Sequence, residues 1–84
     1  MKFPRNRNFK TKSSSMISEI HFLSTLKDEY LFVEFNTGAI YQYNDVPFSV
    51  YKTLKKANRK NKSVGSLFHD QVKNVGYGYK RLNN

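Results

Sequence analysis

Apolar and polar positions first fall into step at Met16–Leu23, where Ile20 and Phe22 interleave with Glu19 and His21. A period of two predicts a strand. Ser24–Asp28 reads as a turn, and Glu29–Asn36 as a second strand with a stronger signal. Leu31, Val33 and Phe35 fall on one of its faces; Tyr30, Phe32 and Glu34 fall on the other. β-Branched and aromatic residues suit such a pleated surface. Asn36-Thr37-Gly38 then predicts a three-residue hairpin loop with Gly38 in the left-handed position. With Phe35 opposite Ala39, Val33 opposes Tyr41 and Leu31 opposes Tyr43. That register predicts a core face of Leu31, Val33, Phe35, Ala39, Tyr41 and Tyr43. The reverse face carries Phe32, Glu34, Ile40 and Gln42 and is semi-polar.

The period changes after Val46-Pro47. Proline suits the first position of a helix, where its missing N–H would have no partner anyway. Val50, Leu54 and Ala57 make an apolar stripe, and Lys52, Lys55, Lys56 and Arg59 recur at helical spacing on the opposite side. Asn58–Lys62 reads as a basic loop. Ser63 is a candidate cap for a second, short helix in which Val64, Phe68 and Val72 recur every fourth residue. Gly76 and Gly78 end it, and Tyr77, Tyr79 and Leu82 alternate as a candidate edge strand. Residues 1–15 contain Pro4, three serines in a row and no apolar period, and read as a basic flexible arm. Residues 16–84 read as a single domain. The expected fold is α+β: a three-stranded antiparallel sheet, with a candidate fourth edge strand, covered on one face by one longer and one short helix.

Composition narrows the function classes. Eighty-four residues make one domain at most. An aromatic share of 15% argues for a folded core. The absence of cysteine excludes disulfides and thiolate metal sites. No apolar run approaches the roughly 18 residues of a membrane span, and no apolar stretch follows the first basic residues as in a secretory signal. The expectation is a cytoplasmic protein with no membrane contact.

Charge changes the picture most. The net charge of +9 is segregated. Residues 1–15 carry +5 and residues 46–69 carry +6, both without a single acid, while the remainder carries −2. Such a field favours a polyanion or an acidic protein surface. The helix stripe Lys52, Lys55, Lys56 and Arg59, continued by Lys60 and Lys62, is the leading phosphate-binding candidate, because phosphate contacts need cations spaced along a ridge. Arg5, Arg7, Lys10 and Lys12 of the arm add to it, and Lys80 and Arg81 extend it if the C-terminus lies nearby. Tyr41 and Tyr43 share a strand face; they are either a stacking platform for bases or core residues. Tyr30 and Phe32, on the reverse face, are candidates for a more open stacking surface, or for packing against the arm or another subunit.

Catalytic chemistry finds no constellation. His21 and His69 have no neighbours at metal-ligand spacing, no carboxylates pair as general acid and base, and neither a phosphate loop nor a nucleophile motif is present. The expectation is a protein without catalytic residues, metal or cofactor.

The run from Ile17 to Leu82 resembles the KTSC domain, a short family named after the C-terminus of some lysyl-tRNA synthetases. The resemblance rests on Phe35 to Gly38 before Tyr41-Gln42-Tyr43, on Val46-Pro47 and then Val50-Tyr51, Leu54 and Ala57, on Ser63-x-Gly65 leading into Leu67-Phe68-His69, and on the late pair Tyr79 and Arg81. It implies RNA as the favoured ligand. Charge and resemblance together lead to a non-catalytic nucleic-acid-binding module, RNA favoured, using the basic helix face and the arm. The alternative is a small phage or mobile-element protein that docks the same surface on an acidic host protein and modulates it. An exposed edge strand at Tyr77–Leu82 permits a weak dimer, so the expected state is a monomer or a weak dimer.

Overall fold

The computed structural model describes residues 7–12 and 16–83. Strands β1 (Arg7–Lys10), β2 (Ile17–Ser24), β3 (Glu29–Phe35) and β4 (Ile40–Asn44) are followed by helix α1 (Phe48–Arg59) and helix α2 (Val64–Phe68). A π-helical turn (His69–Lys73) continues α2, and strand β5 (Tyr79–Arg81) closes the chain. The sheet is antiparallel throughout, in the order β1-β2-β3-β4-β5. The α+β class is as expected, but among the described residues the sheet has five strands rather than three or four. The fifth comes from the segment read as an arm: Arg7–Lys10 pairs with β2, and Phe9 turns inward from it.

The central register follows the sequence. Val33 pairs with Tyr41 and Leu31 with Tyr43. The Phe35 amide donates to the Ala39 carbonyl at 2.9 Å, and Gly38 takes a φ of 94° at the turn, which a side chain would disfavour. On one face Phe9, Ile20, Phe22, Leu31, Val33 and Tyr43 form a buried core with Tyr51, Leu54, Val64, Phe68 and Val72 of the helical layer. On the reverse face Phe32 and Ile40 form a small second cluster with Leu23 and Tyr30 beside them.

The helices differ from expectation in their ends. Pro47 has an extended ψ of 150° and stands at the N-cap of α1, one position before the expected one. The stretch expected as a basic loop begins inside the helix, because Asn58 and Arg59 are its last residues. The Lys62 amide donates to Ala57 at 2.8 Å, the Asn61 amide to Asn58 at 3.2 Å, and Asn61 takes a φ of 56°. This 6→1, 5→2 pair with a left-handed residue between is a Schellman stop, with asparagine in glycine's usual place. Ser63 does cap α2, its hydroxyl accepting the Ser66 amide at 3.1 Å. The Asn74 amide reaches back five residues to the His69 carbonyl at 2.9 Å. Four α-helical residues overshoot a full turn by about 40°. The wider π turn takes up that drift, which leaves Val64, Phe68 and Val72 all in the core.

Candidate nucleic-acid interface

The basic stripe of α1 forms as the spacing demands. Tyr51, Leu54 and Ala57 are buried, and Lys52, Lys55, Lys56, Arg59, Lys60 and Lys62 are all exposed. None of these six forms an ion pair with a described acid. Lys56 and Arg59 in the last turn also face the negative end of the helix dipole, which favours them there. The ridge from Lys52 to Arg59 spans about 10 Å of helix axis.

The fold joins the N-terminal basic block to this ridge. β1 and α1 run side by side in the same direction, with contacts at both ends. At the start, the Arg7 guanidinium carbon lies 4.8 Å from the centre of the Phe48 ring, and Lys52 Nζ lies 5.8 Å from it. Two cations thus share one aromatic ring. Between the ends, Phe9 packs on Tyr51 with ring centres 5.6 Å apart. At the far end the buried Asn58 side chain clamps the strand's exit. Its Nδ2 donates to the Lys10 carbonyl at 3.0 Å, and its Oδ1 accepts the Lys12 amide at 2.8 Å. Arg7 and Lys12 are exposed beside the helix ridge, and Lys10 is exposed at the register position of Glu19. Asn58 is the residue that sequence reasoning missed. Its signal was a poor helix former placed on the apolar side of an otherwise regular helix.

The other expected contacts are distributed differently. Lys80 and Arg81 lie on β5, at the opposite edge of the sheet. Four strand spacings, about 19 Å, separate that edge from β1, so these two do not extend the ridge. Phe32 is only 6% exposed and Tyr30 is half-buried beside it, so Phe32 offers no open ring for stacking. Tyr43 is buried against Phe68, with ring centres 5.5 Å apart, and belongs to the core. Tyr41 is half-buried and packs against the edge of the core. Arg5 lies outside the described residues. His21, expected at the surface or in a structural role, is buried on the reverse face with Nε2 3.0 Å from Glu19.

A second feature lies under the π turn. A cleft of about 870 Å³ opens between β4 and β5 on one side and residues 72–77 on the other. Tyr41 pairs with Arg81 and Tyr43 with Tyr79 across the two strands, so these four side chains floor it. The Tyr79 ring centre lies 5.8 Å from that of Tyr41 and 5.5 Å from that of Tyr43. Burial, then the neighbouring phenols of Tyr41 and Tyr79, push the Tyr43 hydroxyl up to about 12. Lys73 and Tyr77 form the wall, and Gly76, at a φ of 91°, lets the chain reverse there. The sequence carried this cleft as two Tyr-x-Tyr pairs, but their meeting depends on the β4–β5 pairing.

Among the described residues, no helix is long and apolar enough to cross a membrane. No three acidic, histidine or cysteine side chains among them gather as a metal site would require. In comparisons with known proteins, the sequence profile described as KTSC domain matches residues 13–77. No curated protein matches the chain.

Proposed function

The chain belongs to the KTSC domain family, and from that premise we propose that it is a non-catalytic nucleic-acid-binding module, with RNA as the favoured ligand. One observation carries the reading. Arg7 and Lys12 of the first basic block are brought beside the α1 ridge of the second, and no described acid forms an ion pair with the ridge. Lys52, Lys55, Lys56 and Arg59, with Lys60, Lys62, Arg7 and Lys12 beside them, are the phosphate contacts. Such contacts position a backbone without reading its sequence. The preference for RNA rests on the resemblance to a family named after the C-terminus of some lysyl-tRNA synthetases.

The test is fluorescence anisotropy with labelled single-stranded RNA, an RNA hairpin and duplex DNA over a salt series. If about six of these eight cations engage single-stranded RNA at once, the slope of log K against log salt is near −4. A Lys52/Lys55/Lys56/Arg59→Ala variant flattens that slope by about 2 to 3. A slope near zero with the intact chain ends the proposal. An acidic protein partner that stays bound after nuclease treatment would take its place.

A further inference from the structure

We propose that the cleft between β4, β5 and the π turn is a second binding site, one that takes a nucleotide unit: a base stacked on Tyr79 and Tyr41, with its phosphate held by Lys73 and Arg81. The cleft lies at the sheet edge away from the α1 ridge, and the proposal stands on its own geometry whether or not the ridge binds.

Three features select this ligand class. The floor is aromatic and open. Tyr79 is 63% exposed, with the half-buried Tyr41 beside it, over a buried Tyr43. A ring face as exposed as that of Tyr79 is a stacking surface for planar groups. Next, among the described residues both charged side chains that line the cleft, Lys73 and Arg81, are cations, and no acid lines it. A free amino acid or a peptide N-terminus would bring an ammonium with no carboxylate to meet it, and a C-terminal carboxylate alone would leave the tyrosine rings without a planar partner. A neutral sugar would leave both cations without a role. A planar ring joined to an anion uses every feature, and Arg81 supplies the planar fork that phosphate oxygens match. Size is the third feature, since about 870 Å³ lies within the ordinary range for small-molecule sites. The wall is also built on a π turn, a local geometry that occurs often at binding sites.

The same chemistry can arrive as a free nucleotide or as an unpaired base in a strand. The experiment separates these sources. Amide chemical shifts of the labelled full chain are followed on titration with adenosine monophosphate, with a short oligouridylate, and with inorganic phosphate alone. Saturable shifts at Tyr41, Lys73, Tyr79 and Arg81 with the monophosphate identify a free nucleotide. The same shifts with the oligonucleotide only identify a strand-borne base. In either case Tyr79→Ala weakens binding by about 5-fold or more, Tyr79→Phe retains it, and Lys73→Ala and Arg81→Ala each weaken it. The Lys52/Lys55/Lys56/Arg59→Ala variant leaves monophosphate binding unchanged, which keeps the fate of this site separate from that of the ridge. Should Tyr79→Ala fail to fold, the Lys73 and Arg81 variants with Tyr79→Phe decide the matter. No shift at the cleft with either nucleotide probe overturns the proposal. So do equal shifts with phosphate alone, or binding indifferent to Tyr79, Lys73 and Arg81.

Discussion

The Tyr51 ring sits in the main core, among Phe9, Phe22 and Phe48, and its buried hydroxyl has no hydrogen-bond partner among the described residues. An unpaired hydroxyl in such a place costs about 1–3 kcal/mol. Tyr51→Phe keeps every ring contact and removes that cost, so denaturant unfolding should show a gain of about 1 kcal/mol. A comparable loss would mean that the hydroxyl is satisfied in solution. Asn58 is the opposite case. Asn58→Ala strands the Lys12 amide and the Lys10 carbonyl together, and the expected loss is about 1–3 kcal/mol. Asn58→Asp keeps an acceptor for Lys12 but loses the donor to Lys10, and should fall between. Amide exchange at Phe9 should quicken in both, because β1 is held to α1 at that point. Tyr43 sets an alkaline limit. Its folded-state pKa, about 12 against an ordinary 10.0, means that the folded chain keeps the proton after the unfolded chain has lost it. Stability from this group is complete below pH 10.0 and declines as pH rises toward 12. A tyrosinate absorbance titration checks this: Tyr43 should ionise well after the exposed phenols, as should Tyr51, whose hydroxyl burial also pushes up, and Tyr43→Phe should shrink that late step by one phenol.

At the scale of elements, the end of α1 and the edge of the sheet teach different lessons. The Schellman stop holds Asn61 at positive φ, where a β-carbon is strained unless a short polar side chain relieves it. Asn61→Ala should therefore lower stability by about 1 kcal/mol, and Asn61→Gly should leave it level or raise it. Equal thermal midpoints for the two variants would count against a left-handed Asn61. The β2-β3-β4 meander was legible because period-two runs and a glycine turn fix register locally. The α1 ridge was legible because helical spacing alone sorts its sides. β1 was not legible, because an edge strand of four residues with Phe9 as its one inward side chain has no period to read. Its position comes from Phe9 on Tyr51 and from the Asn58 clamp, both of them contacts between distant residues. The π turn leaves no mark either, since Val64, Phe68 and Val72 show the same spacing in a plain helix. The strand that joins the arm to the ridge and the tyrosine cleft were missed for one reason: each needs a strand pairing at a sheet edge, and edges carry the weakest local signals.

For the whole molecule, the charge that suits a polyanion also opposes folding. Along α1 the pairs Lys52–Lys55, Lys52–Lys56, Lys55–Arg59 and Lys56–Arg59 are like-charge neighbours three or four residues apart. Each costs about 0.2–0.5 kcal/mol in dilute salt, or about 1–2 kcal/mol together. Arg7 and Lys12, brought alongside by β1, add to the crowding, and the net charge of +9 leaves it uncompensated. Salt screens such exposed charges over about 10 Å at 0.1 M. Two properties of the same side chains should then move in opposite directions. As salt rises, the free protein should become more stable, since repulsion within the ridge is screened, while its affinity for nucleic acid falls through the weaker drive from counterion release. Replacing Lys52, Lys55 and Lys56 with Gln should flatten both trends, because Gln keeps helix propensity without the charge. Thermal unfolding by circular dichroism, run beside anisotropy in the same buffers, measures the two together. If the free protein's midpoint does not rise with salt, the ridge cations do not strain the fold, and the case that they persist for binding loses its energetic basis. If both trends appear and both flatten in the variant, one set of side chains accounts for the cost to the fold and for the attraction to the ligand.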